Sequence, residues 1–343
     1  MSILPLMAGV FLASAILTGL IRRLALRTRV LDLPGSRSAH NNPLPVGGGL
    51  SIVISVLAVT SYFFQQGSIP LPEYMAIAAA IFIAVNGLVD DIVELDIKWR
   101  LPMQFAAAIW SVAWLGDVPP IQIGGFELSA PWLLNTLAVF GLIWLLNLYN
   151  FMDGIDGIAA SELVFVNAGA FLIVMNSSDQ VITLLSATLV AAGAGFLLWN
   201  WSPARVFMGD VGSSFIGFSL GIMAIFSMLH GSMNLWTWLL LLGVFVVDAT
   251  ITLLRRLITG DRWYQGHSCH AYQHAARRYK SHSKVTITVL LVNCLWLGPL
   301  AWLATRQPEY GVYITLLGLL PLVYLAFKLE AGKEEIQVEE IQV

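Results

Sequence analysis

The stretch NLYNFMDGIDG (147–157) follows directly on the apolar run 131–146 and places four amide or carboxylate side chains at its end, those of Asn147, Asn150, Asp153 and Asp156. Asn147, Asn150 and Asp153 are three residues apart, so they lie roughly along one side of a helix. The two glycines loosen the backbone, and we expect the helix to end near the two carboxylates. A capped helix end with solvated carboxylates would explain a single Asp-Gly pair. Four such side chains beside lipid indicate a ligand site.

The composition around this stretch is that of a membrane protein. Of the 343 residues, 57% are hydrophobic and 11% are charged, against roughly 25% charged in soluble domains. A helix needs about 20 apolar residues to cross the hydrocarbon layer. The sequence predicts an all-α, polytopic protein with eleven spanning segments, at 3–21, 46–64, 73–90, 101–116, 131–149, 158–175, 181–199, 212–229, 235–256, 285–305 and 309–327.

The basic residues predict the orientation, because Lys and Arg stay on the cytoplasmic side. With the N-terminus in the periplasm, the inner loops and tail hold all 18 Lys and Arg residues except Arg306. The same threading places on the inner face the acids Asp90, Asp91, Asp153, Asp156 and Asp210. We expect one transmembrane catalytic domain over 1–328 and an acidic cytoplasmic tail over 329–343. No disulfide is expected, since Cys269 falls in the cytoplasm and Cys294 within a membrane helix.

Asp90 and Asp91 are adjacent at the predicted end of the third helix. Neighbouring carboxylates stay ionised together most easily when a cation or a Lys or Arg lies near them. They are therefore candidate metal or acid–base groups, with a solvated helix end as the alternative.

Asp210 stands between two glycines just before a helix of small residues. It suits a helix N-cap. The functional alternative is that Asp210 supplies an oxygen to a metal while Gly212 and Ser213 offer backbone amides to a phosphate.

The loop 22–45 is rich in arginine and leads into three glycines, Gly47 to Gly49. One explanation is an anchor on anionic lipid. The other is an anion site made of glycine amides at a helix N-terminus, with Arg37 and His40 beside them.

Asp248 lies inside the predicted ninth helix, two turns before Arg255. An intramembrane carboxylate indicates a functional site by default, and a structural contact with another helix is equally open. The following inner loop would form one stripe on a helix from His267, His270, His274, Arg277 and Arg278. A zinc site that includes Cys269 is disfavoured, because the neighbouring arginines favour phosphate over a cation.

Taken together, the inner segments offer carboxylates for a hard divalent cation, glycine turns, and Arg and His groups for phosphates. This combination indicates phosphoryl transfer at a membrane. A lipid substrate would explain why the site lies at helix ends. A secondary transporter and a non-catalytic scaffold of polysaccharide assembly are the alternatives, although transporter sites lie nearer the bilayer midplane.

Four motifs in a fixed order carry a resemblance that spans almost the whole chain. They are Arg37-Ser-Ala-His40 with Pro43, Pro45 and Gly47-Gly48, the pair Asp90-Asp91, the run Asn150-Phe-Met-Asp153-Gly-Ile-Asp156-Gly157, and Phe207-Met-Gly-Asp210-Val-Gly-Ser213. These motifs resemble the polyprenyl-phosphate N-acetylhexosamine-1-phosphate transferases. That superfamily includes the enzymes that initiate peptidoglycan, teichoic acid and O-antigen synthesis.

The resemblance implies a reaction and its substrates. N-acetylhexosamine 1-phosphate would pass from a UDP-sugar, UDP-GlcNAc or a 6-deoxy analogue, to undecaprenyl phosphate, with UMP released. Mg²⁺ would be required, with Mn²⁺ as a substitute, in a multi-pass protein of the bacterial inner membrane. A homodimer is compatible with the resemblance, and nucleic acid is not an expected partner.

The resemblance also implies residue roles. Asp210 would bind the metal, and Asp90 and Asp91 would position or deprotonate the lipid phosphate or share the metal. Asn150, Asp153 and Asp156 would orient the nucleotide and diphosphate. The remaining expected substrate-binding residues are Arg37, His40, Lys98, Asn147, Arg205, Gly212, Ser213, Asp248, Arg255, His267, His270 and His274.

The last inner loop departs from part of the family. The peptidoglycan and enterobacterial branches carry adjacent histidines there, whereas this chain has His267-x-x-His270-x-Tyr272-Gln273. That form is similar to the O-antigen-initiating, WbpL-type branch, which argues against a muramoyl-pentapeptide substrate.

Overall fold

The structure is a computed structural model, and it describes residues 3–32, 43–93, 95–260 and 267–333. These residues are almost all helical because long apolar runs satisfy their backbone hydrogen bonds internally. The helices are α1 Ile3–Thr28, α2 Leu50–Gln65, α3 Leu71–Val93, α4 Ile97–Leu115, α5 Pro131–Phe151, α6 Ile158–Val174, α7 Gln180–Asn200, α8 Asp210–Leu229, α9 Leu235–Leu241, α10 Gly243–Thr259, α11 Ala271–Tyr279, α12 His282–Val292, α13 Gly298–Arg306 and α14 Gly311–Lys328.

Two small antiparallel β ribbons accompany the helices. β1 (Leu31–Asp32) pairs with β2 (Leu44–Pro45), with Leu31 opposite Pro45. β3 (Ile121–Ile123) pairs with β4 (Phe126–Leu128) to form a hairpin between α4 and α5.

In the described part of the chain, seven helical stretches are long and apolar enough to cross a membrane, and α9 with α10 makes an eighth if that bent pair is one span. Nine of the eleven predicted segments each coincide with one helix, whereas 235–256 covers α9 and α10 and 285–305 covers α12 and α13. Two of these helices, α2 and α6, are shorter at 16 and 17 residues, and α4 starts with charged residues that lower its hydropathy. The protein is thus a multi-pass membrane protein, and the count of eleven spans and the orientation stay predictions.

Helix α8 lies at the centre of the bundle and is buried along nearly its whole length. A helix that is apolar on all sides is expected in such a position. Glycines let two neighbours approach it closely. A Cβ on Gly87 of α3 would fall on the Asp210 backbone, and one on Gly217 would lie 2.6 Å from the Leu145 carbonyl of α5. As a result, the ends of α3 and α5 and the start of α8 meet at one end of the bundle.

Two irregularities interrupt the C-terminal helices. The axes of α9 and α10 differ by 82° at Leu242. Between α12 and α13, the residues Asn293–Leu297 form a π turn, and the Asn293 side chain donates to Glu162 Oε2 of α6 across 2.5 Å. Side-chain hydrogen bonds of this kind join helices inside a bilayer.

Candidate active site

The centre of the candidate site is an ionic cluster at the junction of α3, α4 and α8. Arg100 Nη1 lies 2.6 Å from Asp90 Oδ2, and Arg100 Nη2 lies 3.4 Å from Asp210 Oδ2. The other oxygen of Asp90 accepts the Leu95 amide at 2.6 Å. One guanidinium thus lies between two carboxylates that the chain separates by 120 positions, and it offsets their repulsion.

The end of α5 completes this cluster. The Asn150 side-chain amide donates to Asp210 Oδ1 at 2.7 Å and to Ser213 Oγ at 3.0 Å. Ser213 in turn donates to the Gly209 carbonyl. The predicted residues Asp90, Asn150, Asp210 and Ser213 therefore form one hydrogen-bonded network.

Asp91 holds the start of α8 in place. Its Oδ1 accepts the Asp210 amide at 2.8 Å and its Oδ2 accepts the Val211 amide at 3.1 Å. These are unpaired donors of the first helical turn. Gly209, with φ +77°, gives the chain the close approach this needs, since a Cβ there would lie 2.6 Å from Asp91 Oδ2. Asp91 thereby fixes where Asp210 stands.

The two carboxylates of the stretch 147–157 lie in different environments. Asp153 accepts no hydrogen bond from the residues described, and its pKa is well above the usual value because it is removed from water and lies near Asp210, Asp91 and Asp156. Burial acts to raise the pKa of Asp156 as well. Hydrogen bonds from His282, the Ala204 amide and Ser202 outweigh that effect and leave the pKa lowered. Asp156 therefore ties its loop to its neighbours, while Asp153 has the capacity to bind a cation.

Asp248 is a residue of α10, and its side chain faces the start of α11. Its Oδ1 accepts the Ala271 amide and its Oδ2 the Tyr272 amide, each at 2.9 Å. His270 Nδ1 is 3.3 Å from the same Oδ1. Both residues are buried. Asp248 thus caps the N-terminus of α11 and orients the His270 ring. It is expected to bind substrate, and in the structure its carboxylate positions other residues instead.

We call residues 267–274 the histidine loop, and it docks on the end of α5. The His267 and His270 rings stack with centroids 5.0 Å apart, and the Phe151 ring lies 6.2 Å from each. The Tyr272 hydroxyl donates to the Phe151 carbonyl at 3.0 Å. His267 and His270 are thus brought to the side of the loop that carries Asp153.

Several predicted residues make their contacts elsewhere. Lys98 is largely exposed and pairs with Asp96 at 2.8 Å, the Asn147 amide faces Gln104, and Arg205 is exposed. Gly212 packs against Gly49. Because the side chains of Lys98 and Asn147 are engaged away from Asp210, the structure does not bring them into the cluster.

Two further residues face the C-terminal segment. Arg255 Nη1 donates to the Ala331 carbonyl, and His274 Nε2 lies 3.1 Å from the Lys333 carbonyl. Arg37 and His40 lie outside the described residues. The amides of Gly48 and Gly49 donate to the carbonyls of Phe207 and Met208 at 2.9 Å, so these two amides are already engaged, and the anion site predicted at Gly47 to Gly49 stays a prediction.

Sequence reasoning missed Arg100 and Tyr272. Arg100 lies on the first turn of α4, one turn before Gln104, and this spacing places both on one helix face. That pattern could have indicated that Arg100 faces the site. Tyr272 offers no such signal, because its contact with Phe151 depends on how two distant segments pack.

The donor set suits a magnesium ion. Carboxylate and amide oxygens from Asp90, Asp153, Asp210 and Asn150 are hard ligands, and Asp153 has no cationic partner in the described part of the chain. Within that part, no three His, Cys, Asp or Glu groups already lie close enough to hold an ion. Mg²⁺ commonly binds through one or two carboxylates plus substrate phosphates, so the residues fit the ion.

A comparison with protein families matches residues 74–228 to the family described as Glycosyl transferase family 4. This stretch contains Asp90, Arg100, Asn150, Asp153 and Asp210, the residues of the cluster and its neighbour. The matched region thus contains the ionic cluster, whereas Asp248 and the histidine loop lie beyond it.

Curated relatives extend over most of the chain. The probable undecaprenyl-phosphate N-acetylglucosaminyl 1-phosphate transferase of Bacillus subtilis is 28% identical over 82% of this chain and 79% of its own length. The decaprenyl-phosphate N-acetylglucosaminephosphotransferase of Mycolicibacterium smegmatis is 29% identical over 83% and 77%. The phospho-N-acetylmuramoyl-pentapeptide-transferase of Bacillus licheniformis is 25% identical over 74% and 82%.

These relatives are transferases, which decides against the transporter and scaffold alternatives. Their names share one chemical theme, the transfer of a sugar phosphate unit, and the clustered motifs agree with it. The family match and these relatives support assignment of the chain to the superfamily of polyprenyl-phosphate N-acetylhexosamine-1-phosphate transferases, as an enzyme of the glycosyl-1-phosphate transferase type.

Proposed function

We propose that this protein transfers N-acetylhexosamine 1-phosphate from a UDP-sugar to undecaprenyl phosphate in the bacterial inner membrane. The products are an undecaprenyl-diphosphate sugar and UMP, and the reaction initiates O-antigen or a related envelope polysaccharide. The observation that carries the proposal is the network of Asp90, Arg100, Asp210 and Asn150 at one end of the bundle. It combines oxygen ligands with a guanidinium suited to phosphate.

The bond changes define what the residues must do. An oxygen of the lipid phosphate attacks the β-phosphorus of the UDP-sugar, and the bond from that phosphorus to the bridging oxygen breaks. UMP leaves with the bridging oxygen. Bound Mg²⁺ would supply positive charge to the phosphate oxygens during this exchange.

The chain's residues bind and orient the reacting groups. Asp90 accepts any proton that the lipid phosphate carries, and Arg100 beside it binds the phosphate oxygens. Asp210 and Asp153 would hold the metal, and Asn150 fixes the orientation of Asp210. Asp91 acts through the start of α8. A covalent aspartyl-phosphate is the alternative path.

The donor is proposed to be UDP-GlcNAc or a UDP-6-deoxy-N-acetylhexosamine. His267 and His270, whose rings stack beside Phe151, would meet the sugar nucleotide. The histidine pattern favours the O-antigen-initiating branch.

The test is UMP release by the purified protein in detergent, with undecaprenyl phosphate, Mg²⁺ and a panel of UDP-N-acetylhexosamines offered one at a time. We expect release with one donor, lost on addition of EDTA, restored by excess Mg²⁺ or Mn²⁺, and reduced by orders of magnitude in Asp210→Asn. Arg306→Gln, at the other end of the bundle, is the matched control and should turn over like the wild type.

No release with any donor, from protein shown to be folded, would contradict the proposal. Phosphate found on an aspartate after acid quenching without the lipid acceptor would replace direct attack by the covalent path.

A further inference from the structure

The residues that follow the last membrane helix, α14, still pack against the rest of the protein. After α14 finishes at Lys328, Ala331 is fully buried and its amide donates to the Ala326 carbonyl at 3.0 Å. The sequence predicts only a solvated acidic tail from 329 onward. The buried alanine shows that the first residues of this segment belong to the folded protein.

Three hydrogen bonds attach this segment to the region of the histidine loop. The Gly332 amide donates to the Cys269 carbonyl at 2.7 Å, His274 Nε2 lies 3.1 Å from the Lys333 carbonyl, and Arg255 Nη1 donates to the Ala331 carbonyl at 3.1 Å. Cys269 directly precedes His270. The segment thus contacts the histidine loop at both of its ends.

Gly332 is required for this close fit. Its φ is +81°, a conformation that other residues adopt at a cost. A Cβ there would lie 2.9 Å from the Thr252 carbonyl and 2.9 Å from Arg255 Cβ. The backbone at 332 therefore rests directly on α10, the helix that also supplies Asp248.

The histidine loop is thereby held from two sides. Asp248 fixes its middle by accepting the Ala271 and Tyr272 amides and by contacting His270, and the C-terminal segment binds the carbonyl just before His270 and the side chain of His274. The loop in turn touches the end of α5 through Tyr272. A short path of contacts thus leads from the C-terminal segment to the loop that carries Asp153.

We propose that residues Ala331–Lys333 form a positioning strap that sets the place of His270 for binding the sugar nucleotide. The expected effect on turnover rests on the proposed function. That the strap holds the histidine loop rests on the hydrogen bonds alone. The strap residues contact no reacting atom in this assignment. They act through His270.

The test uses full-length variants in detergent. Gly332→Ala introduces a Cβ against α10, and Ala331→Asp places a carboxylate in a fully buried position. Gly67→Ala is the matched control, because Gly67 has a similar φ of +72° but nothing within 4 Å of the position that a Cβ would take. Two readouts are taken, hydrogen exchange of the peptide covering 267–279 and the separate kcat and KM for the UDP-sugar and for the lipid acceptor.

We expect exchange of the 267–279 peptide to rise about tenfold in Gly332→Ala, a factor in keeping with the cost of a strained backbone position. The KM for the UDP-sugar should rise several-fold while the KM for the lipid acceptor stays within twofold. Gly67→Ala should match the wild type in both readouts. Where Gly332→Ala reduces the yield of folded protein, Arg255→Met removes a single strap contact and should give a smaller change of the same kind.

Unchanged exchange of the 267–279 peptide in Gly332→Ala and Ala331→Asp would overturn the strap. So would equal rises in the KM of both substrates, which would indicate general damage to the fold. A wild-type protein without turnover would refute the proposed function and leave the exchange measurement to decide the strap.

Discussion

The guanidinium of Arg100 lies 2.6 Å from the carboxylate of Asp90, at the point where α4 begins beside the end of α3. The same group is 3.4 Å from Asp210, so one positive charge contacts two acids at once. Charge-assisted hydrogen bonds of this kind contribute about 1.5–3 kcal/mol.

Replacing Arg100 with Gln should therefore lower the turnover by roughly 10- to 100-fold. Arg100→Lys keeps the charge but loses the forked geometry, so it should retain more activity than the glutamine variant. UMP release under saturating substrates measures both. Equal turnover in Arg100→Gln and the wild type would show that the guanidinium contributes nothing to the reaction.

Asp248→Asn should loosen the histidine loop, because an amide has one acceptor oxygen for the two backbone amides that Asp248 now binds. Losing a helix cap costs about 0.5–2 kcal/mol, and we expect a lower melting temperature together with a higher KM for the UDP-sugar. Asp117→Asn, in the exposed loop that follows α4, is the control. A KM that does not change would mean that the cap leaves the His270 position unaffected.

Gly154 and Tyr272 should be coupled. A Cβ at 154 would fall on the Tyr272 hydroxyl, so Gly154→Ala alone should lower the melting temperature and the turnover. Tyr272→Phe removes that hydroxyl and loses one hydrogen bond to Phe151, worth about 0.5–1.5 kcal/mol. In the double variant, alanine meets less obstruction, so the combined loss of stability should be smaller than the sum of the two single losses. Strict additivity would show that the two loops do not touch in solution.

His230 should make the stability depend on pH. At the opposite end of the bundle, its ring lies 3.0 Å from both Asp179 and Glu73, and these hydrogen bonds raise its pKa to about 9. Because the folded pKa is raised above the ordinary value of about 6.5, the stabilisation is complete below pH 6.5 and is lost as the pH rises towards 9.

Melting temperatures from pH 6 to 10 would check this dependence. The difference between the wild type and His230→Gln should be largest near pH 6 and should shrink steadily up to pH 9. A difference that stays constant over this range would exclude protonation of His230 as its source.

The sequence predicts the helices well because bilayer thickness imposes a length and an apolar composition on each of them. Nine of the eleven predicted segments coincide with one helix each, while the breaks inside 235–256 and 285–305 are not predicted. The motifs around Asp90, Asn150 and Asp210 predict one shared site although they are far apart in the chain. What sequence reasoning could not supply is the direction of each side chain. Asp90 and Asp91 are neighbours, yet one faces Arg100 and the other caps α8.

The same limit explains the residues whose contacts differ from the expected ones. Arg255 and His274 are expected to bind substrate, but both contact the strap, which the acidic composition of 329–343 does not reveal. Whether Ala331 is buried against the protein or exposed in a tail depends on the surface that it meets. Such a surface is built by residues from several helices and has no local pattern.

The close approach of α3, α5 and α8 has a consequence for how this kind of enzyme diversifies. At Gly87 and Gly217 the helix backbones nearly touch, so the spacing of the acids cannot drift without unpacking the bundle. The histidine loop is fastened by only a few hydrogen bonds at its rim. If the histidine loop meets the sugar nucleotide as proposed, a change of sugar can be accommodated by altering the loop and its hydrogen bonds, without altering the helix packing that spaces the acids.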